Sequence, residues 1–319
     1  MGGLGGAPPT VSVVGRRPRQ ESMDPALTFM TVAEADEVRR LTLAALDDLG
    51  IEAHVDGGDV HTVDGGSIGL WNVATICGAA RERNEWPGIV EEHIRELVTA
   101  VEPVAPEDMD REQLRAALRV RLAEESYVRG MPEQPAACET IAPGLVRHLV
   151  LETTESILPV PESVLAGVIP SAEAVEAAQR ATLALVEGVE LESQTFGQDA
   201  AVATVVFSTS SHVATLALDL PRVVERLEGR VDPSHGIVFA VPTRQQIVYH
   251  VPSDPEAVRS VLPVMLRFAG TAYDEGAGAL SPELYVWQDG RIDALTAPGE
   301  DGRVQITPTG RLAAFLDAG

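Results

Sequence analysis

Lysine is absent from this chain; all 24 basic residues are arginine. No lysine can therefore act as a Schiff-base nucleophile or grip a phosphate in a P-loop. GC-rich coding bias is one explanation, and selection against lysine-directed tagging or acylation is the other. Cysteine is nearly as scarce, with only Cys77 and Cys138, which excludes a disulfide framework and a cysteine-based zinc cluster. Aromatic residues make up 4%, so the core has to be built mainly from Ala, Val and Leu. No run of about 18 apolar residues occurs, so no transmembrane helix is predicted. The N-terminus carries no secretory apolar region. Together these absences predict a reduced, cytoplasmic setting.

The 319 residues are 45% hydrophobic and 23% charged, an ordinary globular composition. They suffice for one large or two ordinary domains. The net charge is −24 and is spread along the chain. A field of that sign repels phosphate backbones and anionic lipid, so no nucleic acid and no membrane is expected as partner. The densest basic cluster, Arg16-Arg17-Pro18-Arg19, lies in a Gly/Pro-rich stretch over residues 1–28 that is predicted to be disordered. Met23 and Met30 are alternative translation starts.

Periodicity and turn chemistry place the elements. Thr31 and Glu34 form a capping box ahead of a helix from Val32 to about Leu49. A hairpin follows, Ile51–Val55 and Val60–Val63, joined at Gly57-Gly58. Pro87 opens a helix running to about Val101, and Arg111–Glu125 is expected to be another. Three prolines in residues 131–143 mark the best domain boundary. Beyond it come a strand at Leu149–Thr153, a helix over Glu173–Val186 and a helix at Val213–Leu220. An interrupted strand pair over residues 236–249, a helix near Asp254–Phe268 and hairpins at Asp289-Gly290 and Asp301-Gly302 complete the reading, with a short helix at Arg311–Asp317. Hairpin-grouped strands with helices between the groups predict an α+β fold. The expected organisation is two small subdomains, 30–135 and 140–319, each an antiparallel-rich sheet packed with helices.

The text from about His148 to Tyr249 resembles a bacterial YtpQ-like protein family of unknown function. The family's leading strand and "SxEEL…A…NL" helix are matched by Leu149–Thr153, Pro161–Val168 and the helix beginning at Ser171. Its "DASRIL" helix and "VPxRDxLLV" strand look like Val213–Asp219 and Ala240–Tyr249 (AVPTRQQIVY). Thr182 stands where the family has Asn, and Gln245 where it has Asp. The similarity extends over most of residues 32–295, with its core at about 148–250. It implies a bacterial intracellular α+β protein and no established catalytic residue.

Four groupings can carry chemistry. Across the first hairpin, His54 faces His61 and Asp56 faces Asp59, so two imidazoles and two carboxylates share one face and can bind a divalent metal. The bland reading is a solvated polar face opposite a buried one. Ser210, Ser211 and His212, with Asp219 further on, supply the residue types of a hydrolase without a nucleophile elbow; the bland reading is a serine N-cap. Arg244, in the polar interruption Thr243–Gln246, can grip an acidic partner or a carboxylate, or simply solvate a turn. Glu152, Glu155, Glu162, Glu173 and Glu176 form an acidic zone that reads as surface. No cofactor loop is present. The leading expectation is a non-enzymatic binding or adaptor protein with a protein partner. The alternatives are a metal-binding enzyme or sensor and a hydrolase.

Overall fold

The computed structural model describes residues 22–27, 29–63, 67–80, 82–99, 108–131, 133–152, 157–198, 201–230, 232–276, 278–298 and 304–318. The Arg16–Arg19 cluster and the Asp301-Gly302 turn lie outside them, as does Glu155. The fold is α+β, and every strand pairing is antiparallel. Among the described residues no helix is long and apolar enough to cross a membrane.

The first apolar core is built within residues 27–97. Helix α1 (Val32–Asp48) starts at the Thr31–Glu34 capping box that the sequence announces. Strands β1 (Ala53–Asp56) and β2 (Asp59–Thr62) pair in the expected register, and β3 (Ser67–Gly69) adds to β2. Gly57 takes the positive φ, +58°, that the tight turn requires. Helices α2 (Trp71–Ala79) and α3 (Trp86–Thr99) close this core. Residues 22–27, counted with the aperiodic N-terminus, are packed in the structure. Leu27 is fully buried, and Asp24 accepts two bonds from Arg39 and two from the backbone N–H groups of Ala26 and Leu27. That arginine holds the Asp24 carboxyl well below the usual range, at about 2.

The next sheet contains the main correction to the sequence reading. The expected helix Arg111–Glu125 is helical only over α4 (Arg111–Ala117), and then becomes β4 (Leu118–Glu124). Leu114, Leu118 and Leu122 fit a helical period. Val120 breaks it, and the buried set Leu118, Val120, Leu122 has period two. Helix α5 (Glu125–Arg129) follows. Strand β4 then pairs with β6 (Leu145–Glu152) along its whole length. Strands β5 (Glu139–Ala142) and β7 (Ile157–Pro159) also pair with β6. The Pro-rich segment expected to separate two subdomains thus joins two strands of one sheet. Helices α6 (Glu162–Leu165) and α7 (Ser171–Ala184) follow, and α7 packs through Ala174 and Ala178 on one face of this sheet.

The remaining sheet has six strands: β8 (Glu192–Gln198), β9 (Ala201–Phe207), β10 (Ile237–Ala240), β11 (Gln246–His250), β12 (Tyr285–Gln288) and β13 (Arg291–Ala294), in the order β13-β12-β10-β11-β9-β8. One face packs on a 3₁₀ turn at Val213–Asp219 and on α8 (Leu220–Glu228), the other on α9 (Pro255–Glu275) and α10 (Gly310–Asp317). Asp289 and Gly290 both have positive φ, 52° and 78°, the backbone of the predicted two-residue hairpin turn. A last pair, β14 (Thr296–Pro298) and β15 (Val304–Ile306), flanks the other hairpin. Leu122, Ala142 and Leu145 of the four-stranded sheet share one buried cluster with Phe239, Ile247 and Tyr249 of the six-stranded sheet. The two sheets therefore meet, and the polar groups of interest lie where they do.

Candidate anion site between the sheets

The site is built from β4 and β6. Their register sets Arg121 directly opposite His148 and Arg119 opposite Val150. Side chains two residues apart share a face, so Arg119, Arg121, His148 and Glu152 line one side of this sheet. Strand β4 is an edge of the sheet, and its outward N–H groups are satisfied by side chains. Val120 N donates to Thr182 Oγ1 at 2.9 Å and Leu122 N to Thr215 Oγ1 at 3.1 Å. Those two threonines, from α7 and the 3₁₀ turn, fix the backbone on either side of Arg121.

The other wall comes from the loop 208–213 and the turn carrying Arg244. Ala214 N donates to Arg244 O at 3.0 Å, and Gln245 Nε2 to Thr209 O at 3.1 Å. Arg244 N is bonded to Gly278 O at 2.9 Å. Gly278 has φ +68°, and a Cβ there would lie 3.1 Å from Arg244 Cδ, so glycine is needed both for its backbone and for the arginine stem. The Arg244 guanidinium sits 5.7 Å from the centre of the half-exposed Tyr127 ring, in cation–π range.

His212 is almost fully buried, and its Nε2 lies 2.8 Å from Glu152 Oε1. The other Glu152 oxygen lies 3.0 Å from Arg119 Nε, though without hydrogen-bond geometry. The hydrogen bond from His212 is the main cause holding the Glu152 carboxyl below its usual range, with Arg119 and Arg121 adding to it. Arg121 and Arg244 have no carboxylate within salt-bridge distance among the described residues. Their Nε atoms, and His212 Nδ1, are buried without a hydrogen-bond partner. Burial, then the neighbouring Arg244, pushes Arg121 down to about 10. Arg244 is also lowered, mainly by burial.

His148 is lowered to about 4 by burial, with Arg121 and Arg244 adding like-charge repulsion. Its folded value lies below the unfolded one of roughly 6.5, so between the two the unfolded chain binds more protons. Stability from this group is complete above about pH 6.5 and is lost as pH falls toward 4, by roughly 3 kcal/mol in all. In urea titrations from pH 7.5 to 4, His148→Asn should show a shallower loss than the parent. Equal slopes would mean that His148 does not titrate as described. His250, lowered mainly by burial, keeps part of the dependence in both.

The structure brings Arg244 and the Ser208–His212 segment together, two features that the sequence presents separately. The carboxylate against His212 is Glu152 and not Asp219. Ser208 and Ser210 accept from the backbone N–H groups of Ser210 and His212, and no serine hydroxyl bonds His212 Nδ1. The 3₁₀ turn that follows has His212 itself as N-cap, with no side-chain cap. Arg121 and His148 were not singled out by the sequence; the signal was a charged residue alternating with apolar ones in a strand.

His54 and His61 face each other as expected, ring centres 5.5 Å apart, with Asp56 and Asp59 exposed at the turn. Among the described residues no three His, Cys, Asp or Glu side chains are gathered to hold a metal, and a zinc site uses three or four protein ligands. Within the acidic zone, Glu173 pairs with Arg111 and Glu176 with Arg180. Surface depressions of about 360 and 430 Å³ lie along residues 162–171 and beside Cys138. Neither is lined by Arg121, His148, His212 or Arg244. The chain matches no family model, and comparison with curated proteins and with solved structures gave no match.

Proposed function

We propose that this chain is a non-enzymatic binding protein that holds a partner through an oxyanionic group seated at Arg121 and Arg244. The observation that carries the reading is a pair of largely buried guanidiniums, near enough for Arg244 to depress Arg121, with no carboxylate within salt-bridge distance among the described residues and with both Nε atoms buried and unpartnered. The chain has twice as many acidic as basic residues, 48 against 24, so leaving two arginines unneutralised is costly and calls for a counter-charge. Taking a cation out of water without an anion costs several kcal/mol by the usual order of magnitude. A bound oxyanion repays that cost with charge-assisted hydrogen bonds, for which the guanidinium fork is well shaped. The resemblance to a YtpQ-like family adds no catalytic residue to this reading. The proposed setting is the cytoplasm, in line with the unpaired Cys77 and Cys138.

Crystals soaked in arsenate test this reading. The arsenic anomalous peak should lie within hydrogen-bond reach, roughly 3 Å, of guanidinium nitrogens of both Arg121 and Arg244. Peaks confined to the molecular surface, or none at all, would count against it.

A further inference from the structure

We infer that the group held at this site is a phosphate that keeps one O–H, either hydrogen phosphate or a phosphomonoester. The inference rests on the anion-site reading above and deepens it. It comes from a buried imidazole nitrogen beside the arginine pair's loop, His212 Nδ1, that the guanidiniums do not explain. Glu152 is held ionised, so it can only accept, and the His212 nitrogen 2.8 Å from it must carry the proton. In the neutral imidazole the other nitrogen, Nδ1, is then a pure acceptor. It is buried and unpartnered, and it belongs to the loop whose Ala214 N–H is bonded to the Arg244 carbonyl.

The site therefore offers two kinds of group. Arg121 and Arg244 can only donate, and His212 Nδ1 can only accept. A carboxylate or a sulfate brings acceptors alone and leaves the imidazole nitrogen unpaired, which is penalised in a buried place. A singly protonated phosphate satisfies both kinds. The Glu152 carboxylate favours keeping that proton, because each further ionisation of the phosphate would add like charge beside it. Tyr127, half-exposed across the Arg244 guanidinium, marks the solvent side of the pair.

The experiment is calorimetric titration of the intact chain at pH 8 with inorganic phosphate and with sulfate, at matched ionic strength. Phosphate is expected to bind at least about tenfold more tightly than sulfate, the order of one buried hydrogen bond. Glu152→Gln keeps the shape of the side chain and no longer dictates which imidazole nitrogen carries the proton, so it should collapse the preference toward unity. Sulfate binding as tightly as phosphate, with both lost in Arg244→Gln, would overturn the inference and leave the anion site standing. Binding of neither ion would overturn both, and so would binding of both that survives Arg244→Gln. Undiminished preference in Glu152→Gln would also overturn the role given to His212. Methyl phosphate run beside inorganic phosphate at about pH 6, near the second pKa of a phosphomonoester so that much of the ester keeps its O–H, separates the two sources: tighter binding of the ester assigns a phosphomonoester, and weaker binding assigns free phosphate.

Discussion

Arg121→Met should make the free protein more stable. In anion-free buffer the expected gain is about 1–4 kcal/mol, the range seen when buried ionic groups are replaced by apolar ones of similar volume. Methionine keeps most of the stem volume and removes a charge that burial and Arg244 both destabilise. Removing the charge also ends its repulsion with Arg244. Glu152 keeps His212 and Arg119 as partners, so no carboxylate is stranded. Urea unfolding of parent and variant checks this. A loss of stability would mean that Arg121 is an ordinary structural arginine, satisfied in place. A stabilising substitution at a group kept in the native chain is what a functional site produces, because function is retained at some expense of fold stability.

The second large effect is expected where the site is anchored. Thr182→Val or Thr215→Val leaves a buried β4 N–H, Val120 or Leu122, without its acceptor. Each should cost about 1–3 kcal/mol, the penalty for an unsatisfied buried donor. Both threonines are almost fully buried, so water cannot easily take over. Serine keeps the hydroxyl, and Thr182→Ser and Thr215→Ser should cost much less than the valine variants. Valine variants as stable as the parent would show that the strand edge has another acceptor. The two N–H groups share strand β4 and sit two residues apart, so the double variant should depart from additivity.

Much of the scaffold can be read from local chemistry. The Thr31–Glu34 capping box, the His54–His61 hairpin register and the Asp289-Gly290 turn each follow from a few adjacent residues. Strand β4 was harder, because Leu118 and Leu122 satisfy both a helical and a strand period and only Val120 decides between them. The packing of Asp24 and Leu27 depends on Arg39, 15 residues from Asp24, and no local pattern reveals it. The site was legible in pieces. Arg244 and Ser210–His212 stand out as polar interruptions in apolar text. Arg121 joins the candidate site only through its register with His148, and Glu152 only through His212, 60 residues away. Glu152 reads in isolation as one more acidic surface residue. Pairings of that length depend on tertiary packing and leave no short-range signature.

On the proposed reading the arginine pair serves an anion and not the fold. The decisive measurement is a calorimetric titration of inorganic phosphate into the parent and into Arg121→Met in the same buffer. One site is expected in the parent and binding weaker by at least about tenfold in the variant, the loss of one charge-assisted hydrogen bond, although the variant unfolds at higher urea. Equal affinity in the two proteins, or no phosphate binding by the parent, would contradict it.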